Sequence, residues 1–291
     1  MIALVTTESA RGHDKDLGIL SRALDASGVK WNIVNWDDPQ AQWSDYSIAV
    51  LRSPWDYHER IAEFSAWLKV VATQTRLMNT LPFVEWNLDK RYLRELMSAD
   101  IAVMETVFVE NAADLSDGVF SRDVIVKPAI SAGSNNTARY KNDVAGATEH
   151  ARKLLNNGIV VLAQPYQSAI DEYGETGLVY LGGQFSHAFR KAPIFADKDQ
   201  NHNGLYVVEE ITLRIPSAAE RAFGDKVVAY VKNKFGAAPL YARVDMVVNA
   251  DGVPELMELE LTEPSLFLHL DEESPARAAL AFANAATTNE R

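Results

Sequence analysis

Tyr241-Ala-Arg-Val-Asp-Met-Val-Val248 and Val253-Pro-Glu-Leu-Met-Glu-Leu-Glu-Leu261 are two apolar-rich runs separated by Asn249-Ala-Asp-Gly252. Asn and Gly between such runs mark a turn, so the segment reads as a hairpin of strands Leu240–Val248 and Val253–Leu261. Strand side chains alternate between faces, which places Arg243 with Asp245 on one face and Glu258 with Glu260 on one face. With Val248 opposite Val253, antiparallel pairing sets Arg243 against Glu258, with Asp245 diagonal to it; a one-residue bulge would break this register. Three adjacent carboxylates repel one another unless a cation lies among them. Asp245, Glu258 and Glu260 are hard oxygen donors that suit Mg²⁺ or Mn²⁺, above all where phosphate completes the coordination. A solvent-facing charged strand is the competing reading, and the Leu, Met and Val residues on alternate positions do not separate the two.

Upstream, the apolar strand Val124-Ile-Val-Lys-Pro128 runs into Ala129-Ile-Ser-Ala-Gly-Ser-Asn-Asn-Thr137. A lysine at a strand end followed by Ser131, Ala132, Gly133 and Ser134 offers one cation and several backbone N–H groups. Small side chains let the oxygens of a polyphosphate approach that backbone. The loop is not a Walker A sequence, and a polar turn with an incidental lysine reads the same residues without a ligand. Lys90 opens a helix over Lys90–Ser98 that Asp89 can cap, and Lys191 ends the strand Phe185–Arg190. With Lys127 these make three cations at element termini, although any one of them alone reads equally as a solvated surface charge.

The first third of the chain alternates strands (Ile2–Thr6, Trp31–Trp36, Ile48–Leu51) with helices. Leu17, Leu20, Ala23 and Leu24 mark one helical face, and Ile61, Phe64, Leu68 and Val71 another, between Tyr57 and Ala72. This is the pattern of a small parallel sheet. Residues just past strand C-termini line the ligand crevice of such sheets. Arg52-Ser-Pro-Trp-Asp-Tyr57 occupies that position, with Arg52 able to grip a carboxylate in a bidentate fork beside Ser53, and Trp55 and Tyr57 able to wall a pocket. Glu8, His13, Asp14 and Asp16 occupy it after the first strand, where capping of the helix from Asp16 explains them equally well. Pro82 and the asparagines of Asn79–Asn87 mark a boundary, giving expected domains of 1–86, 87–166 and 167–291. Beyond it come strands Val103–Val109, Asp123–Lys127 and Ile159–Gln164, helix Val144–Asn156, and a hairpin Gly177–Leu181/Gln184–Arg190 turned by Gly182-Gly183. A polar loop over Ile194–Gly204, strand Tyr206–Ile215 and helices Ala218–Phe235 and Glu272–Ala285 complete the reading. The expected fold class is mixed α/β.

Composition sets the limits. The 291 residues hold 28 Lys and Arg against 40 Asp and Glu, a net charge of −12, which argues against a nucleic-acid partner. A few local cations can still reverse the field inside a cleft and admit an anionic small molecule. The absence of cysteine excludes disulfides, thiolate metal sites and a cysteine nucleophile. No long apolar run reads as a signal or a membrane span, so a soluble cytoplasmic protein is expected.

In their order along the chain, these pieces resemble the ATP-grasp superfamily of carboxylate–amine ligases over nearly the full length. The matching segments are Asn87-Leu-Asp-Lys-Arg-Tyr-Leu93, Val126–Ser134, Ala163-Gln-Pro-Tyr166, Phe185–Lys191, Ala242-Arg-Val-Asp245 and Met257–Ser265. Within the superfamily, Arg52–Tyr57 and Glu260-Leu-Thr-Glu-Pro-Ser-Leu-Phe267 look most like the D-cycloserine ligase branch. The resemblance implies an ATP-grasp fold: an N-terminal parallel-sheet domain and two lobes clasping ATP. It implies that Lys90 and Lys127 hold ATP phosphates beneath the loop, that Gln164, Pro165 and Tyr166 contact adenine, and that Lys191 faces the transferred phosphate. It further implies that Asp245, Glu258 and Glu260 bind Mg²⁺, that Arg243 steadies an acyl phosphate, and that Arg52, Ser53, Trp55 and Ser265 contact an amino-acid-like carboxylate substrate. The implied reaction is ATP-dependent cyclisation of O-ureido-D-serine to D-cycloserine. An intermolecular, glutathione-synthetase-like ligase and a non-catalytic ATP-binding module are the alternatives, and homodimerisation is left open. Glu260 stands where many relatives carry Asn, and Gly133 is the loop's single glycine.

Overall fold

Alternate residues of the first strands belong to different layers, and that alternation builds the N-terminal domain. The computed structural model describes residues 1–193 and 210–288. Strands β1 (Ile2–Thr6), β2 (Trp31–Asn35), β3 (Ile48–Ser53) and β4 (Arg76–Met78) form a parallel sheet in the order β2-β1-β3-β4, with helices α1 (Lys15–Ala26) and α2 (Ile61–Gln74) between them. Ile2, Leu4, Ile48 and Val50 pack with Leu17, Leu20 and Leu24 of α1. Ala3, Val5, Ala49 and Leu51 pack on the opposite side with Phe64, Leu68 and Val71 of α2. Strands covered on both faces must be apolar throughout, which is why Ile2–Val5 and Ile48–Leu51 contain no charge.

Helices α3 (Leu81–Asn87) and α4 (Tyr92–Ser98) follow where a linker and a single helix were expected, and Lys90 sits in the turn between them. A four-stranded antiparallel sheet comes next: β5 (Val107–Val109), β6 (Val124–Pro128), β7 (Ala138–Tyr140) and β8 (Val161–Pro165), in the order β5-β8-β6-β7. It carries α5 (Asp117–Phe120) and α6 (Val144–Asn156), the latter capped by Asp143, whose Oδ1 accepts from Gly146 N at 2.8 Å. Val124, Val126 and Val161 close on Ala147, Ala151 and Leu154 in a core of this lobe's own.

The third part holds α7 (Ala169–Tyr173), β9 (Glu175–Leu181), β10 (Gln184–Lys191), β11 (Ile211–Arg214), α8 (Ala218–Phe235), β12 (Tyr241–Val248), β13 (Pro254–Glu260) and α9 (Ser274–Thr287). Its five strands pair antiparallel in the order β11-β10-β9-β12-β13. The β9–β10 turn uses Gly182 and Gly183 at φ +58° and +75°, the left-handed region that two-residue hairpins require. One face packs on Val227, Val228 and Val231 of α8. The other, through Val179, Tyr241 and Phe282, shares a core with the α1 side of the N-terminal sheet. The expected loop Ile194–Gly204 lies outside the described residues, as does the start of the strand expected over Tyr206–Ile215.

The β12–β13 register departs from expectation. Asn249 N donates to Val253 O at 2.9 Å, so the turn closes one residue later and Val248 faces Pro254. A bulge at Met257 then pairs Asp245 with Glu258 and Arg243 with Glu260, rather than Arg243 with Glu258. The cause is core spacing. Val244 and Met246 are two residues apart, whereas their core neighbours Leu259 and Leu256 are three apart, so one strand must absorb a residue for all four to be buried.

Candidate active site

A cavity of about 530 Å³ opens where the three parts meet. The middle lobe contributes Lys127 from the end of β6 and the loop Ser131, Ala132, Gly133 and Ser134. Gly133 and Ser134 both have φ of +59°, which curls the backbone tightly, while Ala132 packs into the N-terminal core. Lys90 Nζ donates to Ser131 O at 3.2 Å and pairs with Glu258 Oε1 at 3.2 Å, tying loop, turn and β13 together. Lys127 is almost wholly buried; burial pushes its ammonium down in pKa, Glu258 opposes that, and the neighbouring charge of Lys90 adds to it. Lys191, at the end of β10, lines the same cavity, its Cα paired with that of Glu175.

Gln164, Pro165 and Tyr166 line a further part of the wall, together with Met104, Ile125, Ile170 and Met257. Gln164 Nε2 donates to Thr106 Oγ1 at 2.9 Å and Tyr166 donates its hydroxyl to Asp171, so both polar groups are engaged and the apolar residues dominate this section. Met104 carried no local motif that could have singled it out, and Met257 was quoted only as the start of the segment bearing Glu258 and Glu260.

Arg243 organises the charged floor. Its Nε donates to Asp245 Oδ1 and Oδ2 at 2.9 and 3.0 Å, its Nη1 to Ser265 O at 3.1 Å, and its Nη2 to Asp245 and Glu260. Burial would raise Glu258, but Lys90, Lys127 and Arg243 outweigh it and hold the carboxyl low. Glu260 is driven the other way: burial and the charges of Asp245, Glu258 and Glu263 raise it against the pull of Arg243. Among the described residues, no three His, Asp or Glu side chains stand arranged to hold a metal ion, because Asp245 and Glu260 turn onto Arg243 and Glu258 turns onto Lys90. The donor set nevertheless fits Mg²⁺. Asp245 faces Glu258 across the strands and Glu260 faces Arg243, so three hard oxygen donors share one face, the donor type that Mg²⁺ takes.

Two of the expected substrate-side residues lie away from the cavity lining. Arg52 is fully buried behind the wall and does not line the cavity; its Nη2 donates to Pro264 O at 2.9 Å. Ser53 is buried as well, its Oγ 2.8 Å from Thr6 Oγ1. Both sit within β3 rather than past it, because the strand runs on to Ser53 instead of ending at Leu51. Trp55 and Ser265 do line the cavity, and Trp55 Nε1 donates to Glu263 O at 3.2 Å. Of the acidic cluster after β1, Asp14 caps α1, accepting from Asp16 N at 2.9 Å. Asp16 instead accepts from the backbone N–H groups of Leu266, Phe267 and Leu268 at 2.6, 3.0 and 2.8 Å. Sequence reading passed over Glu263, which lines the cavity beside Tyr57 and was visible only as one more acid in Glu260–Phe267.

Residues 2–79 match the family model described as the N-terminal domain of D-cycloserine synthetase DcsG. The chain is 34% identical over 294 aligned residues to the cycloserine biosynthesis protein DcsG of Streptomyces lavendulae, covering 97% of this chain and 98% of that one. The crystal structure of D-cycloserine synthetase DcsG superposes with a TM-score of 0.90 at 33% identity, over 98% of this chain and 99% of that one. D-alanine–D-alanine ligase from Bacillus anthracis shares the fold at a TM-score of 0.66 and 15% identity, over 98% of this chain and 96% of that one. So does the ATP-grasp ligase PsnB, solved with a precursor variant, Mg and ADP, at 0.65 and 16%, over 98% of each chain. No helix among the described residues is long and apolar enough to cross a membrane. The chain belongs to the D-cycloserine synthetase DcsG family of ATP-grasp ligases.

Proposed function

We propose that this enzyme activates the carboxylate of O-ureido-D-serine with ATP and closes it to D-cycloserine. The observation that carries this reading is the meeting, in one cavity, of two buried lysines beside the Ser131–Ser134 loop with the Arg243, Asp245, Glu258 and Glu260 face. Lys90, Lys127 and the loop amides hold the phosphates of ATP, the apolar wall of Met104, Ile125, Ile170 and Met257 takes the base, and Lys191 faces the phosphate that is transferred. Asp245, Glu258 and Glu260 would hold Mg²⁺, which supplies positive charge to the phosphate oxygens when bound. The substrate carboxylate attacks the γ-phosphorus, giving an acyl phosphate and ADP. Arg243 steadies the charge on that group, and Trp55 and Ser265 wall the substrate. The nitrogen bonded to the substrate's own oxygen then displaces phosphate. D-cycloserine lacks the carbamoyl group that O-ureido-D-serine carries, so a water is also consumed and the group leaves as carbon dioxide and ammonia. An acyl phosphate is readily lost to water, and a cleft formed by three separate parts can exclude it.

The domains expected at 1–86, 87–166 and 167–291 are proposed here as substrate-side, nucleotide-side and metal-bearing parts. The test is a reaction with ATP, Mg²⁺ and O-ureido-D-serine as the sole carbon substrate. ADP, phosphate and D-cycloserine should all appear; a requirement for a second, separate amine would contradict the reading.

A further inference from the structure

Glu263 lies on the segment leaving β13 and lines the cavity with Trp55, Tyr57 and Ser265. Its backbone carbonyl accepts from Trp55 Nε1 at 3.2 Å, and its side chain lies beside Tyr57 in the cavity wall. Tyr57 is itself 3% exposed, with its ring 5.1 Å from that of Phe64, and its hydroxyl stands 3.4 Å from Ser131 O. A half-buried carboxylate is thus presented to the cleft from the substrate side, next to the loop assigned to phosphate. The ligation chemistry above gives it no task. The charged groups around it are Glu258 and Glu260 from β13, Arg243 from β12, Lys90 from the α3–α4 turn and the Tyr57 hydroxyl from the segment after β3. Burial raises its pKa to about 7, with Glu258 adding to the rise and Tyr57, Lys90 and Arg243 opposing it.

The ring-closing nitrogen needs such a group. Its lone pair is delocalised into the adjacent carbamoyl carbonyl, so it is a poor nucleophile until its proton leaves. We propose that Glu263 is the catalytic base that takes the proton of the attacking nitrogen as the acyl phosphate is opened, an inference that rests on the ligase reading above. In that step the C–N bond forms and the N–H bond breaks. The proton passes to the Glu263 carboxylate, and phosphate departs with the electron pair of its bond to the acyl carbon.

Hydroxylamine separates the two halves of the reaction, because it captures an acyl phosphate as hydroxamate without needing a base from the enzyme. Glu263→Gln preserves size and removes the charge; Glu263→Asp keeps a carboxylate at shorter reach. In E263Q, ring closure should fall about 100-fold, while hydroxamate formation and the KM for Mg-ATP stay within about threefold of wild type. E263D should recover part of the ring closure together with the acidic limb of its pH profile, a limb that E263Q lacks. Equal loss of hydroxamate and ring closure in E263Q would overturn the proposal, and so would unchanged ring closure. Wild-type enzyme that makes neither product from O-ureido-D-serine would refute the substrate reading instead. The same E263Q comparison, run on whichever carboxylate does yield hydroxamate, then decides Glu263.

Discussion

Arg243 donates to both oxygens of Asp245, to Glu260 and to the Ser265 carbonyl, so one guanidinium spans the acidic face and the loop beyond it. Replacing Asp245 by Asn or Glu258 by Gln removes an oxygen charge while keeping the shape of the side chain. Each should lower kcat at least about 100-fold, measured as substrate-dependent ADP release at saturating Mg²⁺; near-normal turnover would remove that residue from the metal set. A second prediction concerns pH. With its pKa raised from 4.5 to about 7, Glu263 keeps its proton in the folded enzyme where the unfolded chain has already lost it. Unfolding free energy therefore falls as pH rises from about 4.5 to about 7 and stays level above, by as much as roughly 3 kcal/mol. Urea unfolding without nucleotide should show E263Q gaining on wild type across that window; a constant difference would contradict the shift. At this scale the sequence was legible where a motif held several acids and cations together. It was not legible for Arg52, whose buried partner is the Pro264 carbonyl, more than two hundred residues away.

Elements show the same division. The parallel strands, the Gly182-Gly183 hairpin and α8 follow from local patterns, and the capping box of Ser217 with Glu220 adds the start of α8. The β13 bulge does not, because only the core shows that Leu256 and Leu259 must both be buried against β12. Asp16 belongs here as well. From the first turn of α1 it accepts three backbone N–H groups of the segment Leu266–Leu268, which fixes the loop carrying Glu263 and Ser265. Asp16→Ala leaves those buried donors unpaired and should cost about 3 kcal/mol in unfolding free energy. It should also raise the KM for the carboxylate substrate more than that for ATP. An equal rise in both would mean that the loop serves the whole cleft alike.

Across the whole molecule, the middle lobe keeps a core of its own, whereas the N-terminal sheet and the C-terminal lobe share one through α1, Val179, Tyr241 and Phe282. The middle lobe is tied in as well, with Phe108, Ala129 and Leu162 in the core under α8 and Ala132 in the N-terminal one. The sequence announced three parts but not how their cores merge, since that depends on one cluster that gathers Ile2 and Phe282 from opposite ends of the chain. Net charge behaves similarly. The excess of 40 acids over 28 bases described the whole chain, while the cleft gathers Lys90, Lys127, Lys191 and Arg243 around the site proposed for an anionic nucleotide. The central claim is that this cleft joins ATP to a carboxylate as an acyl phosphate. O-ureido-D-serine labelled with ¹⁸O in its carboxylate tests it directly: the account predicts one ¹⁸O in the released inorganic phosphate per D-cycloserine formed, and phosphate free of the label would contradict it.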